Sequence, residues 1–136
     1  MYPEAIVKPM KAELTTAGFE DLTTPDAVDA AVNTAGTVLM VVNSVCGCAA
    51  GAARPGVRLA VTGSKKPTKI TTVFAGFDTE AVAQARKHFA PYPPSSPCVA
   101  LFKDGKLVHF IERHHIEGRT AEMIADNLKM AFEQYC

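Results

Sequence analysis

The stretch VLMVVNSVCGCAAGAARP, Val38 to Pro55, constrains this chain most. Its aliphatic run reads as a buried strand, Asn43 and Ser44 as a tight polar corner, and the small residues that follow as a helix. Cys46 and Cys48 fall where strand gives way to helix. The first N–H groups of a helix lack internal acceptors and the peptide dipoles add partial positive charge, so a thiolate placed there is favoured over its thiol. A cysteine in that position has its pKa lowered from about 8.5 into the range of roughly 3.5 to 7.5. The expected chemistry is thiol–disulfide exchange, with Cys46 at the tip as the attacking sulfur and Cys48, deeper in the helix, as the resolving one.

A single Gly47 separates the two sulfurs. A bridge between residues i and i+2 closes a small ring, for which Gly47 supplies conformational latitude, and a strained, easily reduced bond is expected. Two other readings stand beside this one. Thiolates also bind zinc and copper, although no second CxC or CxxC completes four ligands. Inert buried cysteines are also common among small apolar residues.

The 136 residues show no break in composition and are expected to form one domain, 1–136, large enough to build a core without structural disulfides. Lys plus Arg and Asp plus Glu are equal at 14 each, which argues against a general nucleic-acid or anionic-membrane surface. Proteins and small molecules are the expected partners. The N-terminus, MYPEAIVKPMKAEL, lacks a hydrophobic signal core and no run approaches a membrane span, so a cytoplasmic location is expected. In a reducing compartment, cysteines serve catalysis, sensing or metal binding more naturally than architecture.

Along the chain, Ile6, Met10, Leu14 and Ala17 recur at helical spacing, with Pro9 placed in a first turn and Gly18 as a stop. Thr24 and Pro25 predict an N-cap and first helical residue, followed by the stripe Val28, Ala31, Val32 and Ala35 and a stop at Gly36. Pro55 predicts a kink in the cysteine helix, and Gly47, Gly51 and Gly56 leave it little bulk, for close packing on the sheet and room beside the thiols. Ser64 to Lys69 predicts a loop and Ile70 to Ala75 the next strand, with Gly76 and Asp78 marking a turn and helix cap. Two strands joined by a helix imply a right-handed parallel crossover. Ala81, Val82, Ala85 and Phe89 form a further helix face. PYPPSSP, Pro91 to Pro97, leads rigidly into Cys98 and the strand Val99 to Lys103. Asp104-Gly105 predicts a two-residue hairpin turn returning through Lys106 to Ile111. A last helix from about Thr120 carries Ile124, Leu128, Ala131 and Tyr135 on one side.

This order predicts an α/β fold: a mixed four-strand sheet flanked by helices, with additional N-terminal helices. A cysteine pair between the first strand and its crossover helix, with a proline before the third strand, resembles the thioredoxin fold, whose cis-proline lies beside the attacking thiol. If the third strand runs antiparallel beside the first, Pro97 and Cys98 come near Cys46 and Cys48. A cis Ser96-Pro97 bond would then offer Ser96 main-chain groups for strand-like pairing with a docked disulfide.

The blocks AELTTAGFEDLTTP, VVNSVCGCAAGAARP, TVFAGFD, PPSSP and VHFIERHHIEG, in this order over nearly the whole chain, resemble the bacilliredoxin family, bacterial thioredoxin-fold proteins with a CGC site. The resemblance implies removal of bacillithiol, a low-molecular-weight thiol, from S-bacillithiolated client proteins. Cys46 would take up the small thiol, and Cys48 or a second bacillithiol would release it. Some relatives have been regarded as disulfide isomerases working on disulfide-containing clients through the same nucleophile. No cofactor and no metal is implied.

Cys98 departs from the family's pattern, which commonly has serine there. It is read either as a near-isosteric replacement or as an auxiliary thiol, able to bridge to Cys46 or Cys48 or to join them as a metal-binding trio. Cys136, the last residue, is expected to be exposed and without a catalytic role. Arg113, His114, His115 and Glu117 are read as a solvated turn rather than a metal or general-base site. Arg54 is set either to meet the carboxylates of bacillithiol's malate part or to form a surface ion pair, and His109 is read as structural.

Overall fold

Every residue of strand β2, Thr37–Asn43, is buried, and it forms the centre of the sheet in a computed structural model that describes residues 1–136. Aliphatic side chains on both faces suit a strand covered by helices on each side. The chain runs α1 (Glu4–Thr15), β1 (Glu20–Asp21), α2 (Pro25–Val32), β2, a π-helical stretch (Ala49–Ala53), α3 (Arg54–Ala60), β3 (Lys69–Phe74), α4 (Thr79–His88), β4 (Cys98–Lys103), β5 (Lys106–Ile111), α5 (Arg113–Ile116) and α6 (Ala121–Tyr135).

Five strands lie in the order β1-β3-β2-β4-β5, one more than the four predicted. The extra strand is the two-residue β1, parallel to β3 through Glu20↔Thr71 and Asp21↔Thr72. Its residues are polar and too few to show alternation, so no periodicity announces them. β2 and β3 are parallel, while β4 is antiparallel to both β2 and β5, so the mixed character is as expected. The hairpin turn has Asp104 at φ 49° and Gly105 at φ 80°, the left-handed pair that a two-residue connection requires.

Strand alternation divides the core in two. Leu39, Val41, Val99 and Leu101 face Val57, Leu128 and Phe132 of α3 and α6. Val38, Met40, Val42, Cys98 and Ala100 face Val28 of α2 and Ala81 and Ala85 of α4. Gly56 lets α3 lie against α6, since an added Cβ would stand 2.7 Å from Ile124 Cβ.

Four local expectations are revised. α1 begins at Glu4, so Pro9 lies inside it, and the face turned to the core carries Val7 and Leu14 while Ile6 is exposed. The discontinuity expected at Pro55 takes the form of the π-helical stretch before it; Pro55 sits in the first turn of α3, where its missing N–H is least costly. The β3 strand ends at Phe74, one residue early. Asp78 precedes α4 but makes no side-chain cap: its carboxylate is 2.6 Å from Lys11 Nζ, which also lies 2.9 Å from Asp21, tying α1, β1 and α4 together.

Candidate active site

Beyond the end of β2 the chain turns at Asn43 and Ser44, and helical geometry begins at Gly47. The corner is held from below by Arg54, which is buried: its Nη1 donates to Asn43 Oδ1 at 2.9 Å and to Ser44 O at 2.7 Å. Its Nε lies 3.1 Å from Glu13 Oε1, an ion-pair contact off the hydrogen-bond direction. Arg54 therefore belongs under the cysteine loop and cannot reach a ligand's carboxylates, contrary to one of the expectations above.

Cys46 and Cys48 are both half-buried, with their sulfurs in bonding contact and their Cα atoms 5.3 Å apart. Cys46 Sγ receives the backbone N–H of Cys48 at 3.3 Å, while the Cys46 N–H donates to Ser44 Oγ at 3.1 Å. One N–H of the helix start, that of Cys48, is thus aimed at the Cys46 sulfur. Gly47 is exposed, has an ordinary φ, and has no neighbour within 4 Å of where a Cβ would stand.

The β2–β4 register pairs Val42 with Cys98, so the residues before Cys98 reach the level of the cysteine loop. The Ser96-Pro97 bond is cis, as expected, and Ala90-Pro91 is cis as well, a second such bond that the expectation does not include. Ser96 and Cys46 line one cleft of about 310 Å³ together with Tyr2, Gly76 and Arg113. A cleft of about 330 Å³ between β5 and α6, lined by His115, Arg119 and Asn127, contains no thiol.

Cys98 does not join the pair. Its side chain is fully buried in the layer under α2 and α4, while Cys48 packs against the layer on the other face of the sheet. Burial pushes the Cys98 thiol up to about 12. A bridge from Cys98 to Cys48, or one metal held by all three, would require a sulfur to cross the sheet, and Cys46 opens into the cleft rather than into the layer that holds Cys98. Cys136 is exposed, its Sγ 3.4 Å from Thr37 Oγ1 at the far end of β2.

Arg113 departs from its expected place in a solvated turn. Its segment is exposed, as expected of a solvated turn, yet its Nη2 lies 3.3 Å from Cys46 Sγ and its Nη1 donates to Ser96 O at 3.2 Å. The signal was in the hairpin: Val99 pairs with Ile111, so a residue just past Ile111 must lie beside the residues just before Val99. Glu112, His114 and His115 offer ligand atoms within 4.8 Å of one another on the same exposed turn, without a thiolate among them. His109 bonds Asn127 Oδ1 at 2.7 Å, linking β5 to α6.

The profile of the disulphide isomerase family matches residues 2–136. Over 134 residues the chain is 63% identical to a bacilliredoxin of Cytophaga hutchinsonii, covering 98% of this chain and 99% of that protein. The chain belongs to the bacilliredoxin family. A Bacillus cereus bacilliredoxin is 53% identical over 137 residues, covering 99% and 95% of the two chains. Among solved structures, a Malassezia sympodialis thioredoxin superposes with a TM-score of 0.62 at 13% identity, covering 87% of this chain and 90% of its own. Oxidized mitochondrial thioredoxin 3 of Saccharomyces cerevisiae gives 0.60 at 14% identity, with 90% and 98% covered. These likenesses establish the thioredoxin-like fold; with the bacilliredoxin relatives, they make the chain a thiol–disulfide oxidoreductase. No helix is long and apolar enough to cross a membrane.

Proposed function

We propose that this bacilliredoxin-family chain removes bacillithiol from mixed disulfides on client proteins in the cytoplasm. The observation that carries the reading is the half-buried Cys46 sulfur at the mouth of a cleft, with an amide N–H aimed at it and Cys48 within bonding reach. In the cycle, the Cys46 thiolate attacks the bacillithiol sulfur of the mixed disulfide. A new S–S bond forms, and the client cysteine departs as a thiolate that takes a proton from water. The Cys48 thiolate then attacks the Cys46 sulfur and expels bacillithiol, leaving the Cys46–Cys48 disulfide; otherwise a second bacillithiol displaces the first as bacillithiol disulfide. A thiol reductant returns the pair to the dithiol with two electrons and two protons.

Ser96 and Pro97 are assigned to positioning, Ser96 offering main-chain groups to an extended client segment. The Ser96 carbonyl already receives Arg113, and its second lone pair stays available. Gly47, exposed and without a side chain, leaves room for the client beside the sulfurs.

A client protein carrying bacillithiol on one cysteine tests this. Cys46→Ser is expected to abolish release of the small thiol, and Cys48→Ser to accumulate a bacillithiol adduct on Cys46 visible by mass. Unchanged release by Cys46→Ser rejects the assignment. The matching family's description as disulphide isomerase favours a second reading, rearrangement of client disulfides by the same nucleophile. Reactivation of a protein with scrambled disulfides, at a rate indifferent to bacillithiol, would establish that reading instead.

A further inference from the structure

Arg113 is held at several points before any substrate arrives. Its Nε donates to Glu117 Oε1 at 2.8 Å, its Nη1 to Ser96 O at 3.2 Å, and its backbone N–H to Ser95 Oγ at 3.3 Å. The Ser95 carbonyl receives Arg86 Nη1 at 2.9 Å, so the connection on which Arg113 leans, just ahead of β4, is itself fixed. What remains of the guanidinium fork is Nη2, and it points at Cys46 Sγ from 3.3 Å. A planar fork fixed at its other donors loses little further freedom when it meets an anion. Against a disulfide sulfur this contact is weak; against a thiolate it becomes charge-assisted.

We propose that Arg113 is a catalytic residue that stabilises the Cys46 thiolate and, through Ser96, sets that sulfur against the docking strand. The proposal rests on the reading of Cys46 as the attacking sulfur and adds a second source of activation to the Cys48 N–H. Proton loss from Cys46 leaves the negative charge beside Nη2. On attack that charge passes to the departing sulfur, while Arg113 stays bound to Ser96 and Glu117. Other charged or titratable groups surround the sulfur. Tyr2 stands in the same cleft, Cys48 lies on the helix, and Arg54 is buried under the corner. Arg86 lies behind Ser95, and Glu112, His114, His115 and Glu117 share the turn with Arg113.

The test follows alkylation of the Cys46 peptide by iodoacetamide against pH, in the full chain carrying Cys48→Ser so that no internal disulfide forms. Cys136 in the same sample is the internal reference. Arg113→Gln is expected to slow Cys46 about tenfold near pH 6, with the rates converging near pH 10, as loss of one neighbouring opposite charge requires. Arg113→Lys should recover part of the loss, and His114→Gln with His115→Gln should keep the parent profile. An Arg113→Gln profile that overlays its parent, or a loss found in the histidine variant instead, overturns the proposal. The outcome is separable from the proposed function: a Cys46 no faster than Cys136 in the parent defeats that reading, whereas a fast Cys46 indifferent to Arg113 defeats this one alone. Arg113 is exposed, and melting curves of each variant check that the fold is intact.

Discussion

Val42 faces Cys98 across the antiparallel ladder of β2 and β4, and both side chains enter the layer beneath α2 and α4. One pairing therefore brings the Ser96-Pro97 corner to the cysteine loop while turning the neighbouring thiol away from it. Proximity in sequence to a reactive corner does not make Cys98 reactive.

Thiol counting should show this. In the reduced native protein Cys46, Cys48 and Cys136 are expected to react with a thiol reagent, and Cys98 only after denaturation. Burial raises Cys98 from 9.0 to about 12, with Arg86 opposing in part. The folded chain thus keeps a proton that the unfolded chain releases. Its contribution to stability is complete below pH 9 and declines as pH rises towards 12, by about 1 kcal/mol at pH 10. Denaturant melts across this window should slope downward, and Cys98→Ala should remove that component of the slope.

Arg54→Met should destabilise the reduced protein by about 3 kcal/mol, because it leaves Asn43 Oδ1 and the Ser44 carbonyl without their charged donor in a buried corner. Chemical denaturation measures the loss. Glu13→Gln should cost less, since Arg54 keeps both corner acceptors and the amide still offers it an oxygen, although the buried guanidinium loses its counter-charge.

Two glycines of the cysteine helix should behave oppositely. Gly56→Ala drives a methyl group against Ile124 and is expected to cost about 1–3 kcal/mol in thermal or denaturant melts. Gly47→Ala meets no atom and needs no left-handed φ, so the fold should hold; any loss of client turnover then reports on crowding at the exposed face of the sulfurs.

Oxidation of the reduced chain at low concentration should yield the Cys46–Cys48 bridge and no link from Cys136 to either. Cys136 sits beside Thr37, and the seven residues of β2 separate it from the corner by roughly 20 Å. Peptide mapping by mass spectrometry reads the outcome.

The central β-α-β unit, the hairpin and the Thr24 cap were legible because each rests on local chemistry: an apolar run, Asp-Gly, Thr-Pro; the proline corner was legible only through the resemblance to the thioredoxin fold and the antiparallel pairing it implies. Thr24 accepts the N–H of Ala27, as its place before Pro25 foretold, and Thr120, expected only as the approximate start of the last helix, caps it by accepting the N–H of Met123. What escaped depends on tertiary register. β1 exists because Gly18 turns the chain so that Phe19 and Leu22 enter opposite layers, leaving two polar residues to pair with β3. Arg54 looks like any helix-surface arginine until the corner carbonyl above it is located. Arg113 looks like part of a charged turn until strand pairing carries it back to the sulfur.

The Tyr2 N–H donates to Gly76 O at 3.0 Å, and its ring covers the glycine where no Cβ would fit, so the first residues wall the cleft. Met1 itself turns away towards Thr23 and the start of α4, so a segment fused ahead of it would leave within two residues of the cleft wall and could disturb Tyr2. Affinity handles and fluorophores belong at the opposite pole, beyond Cys136, where they leave the entrance clear.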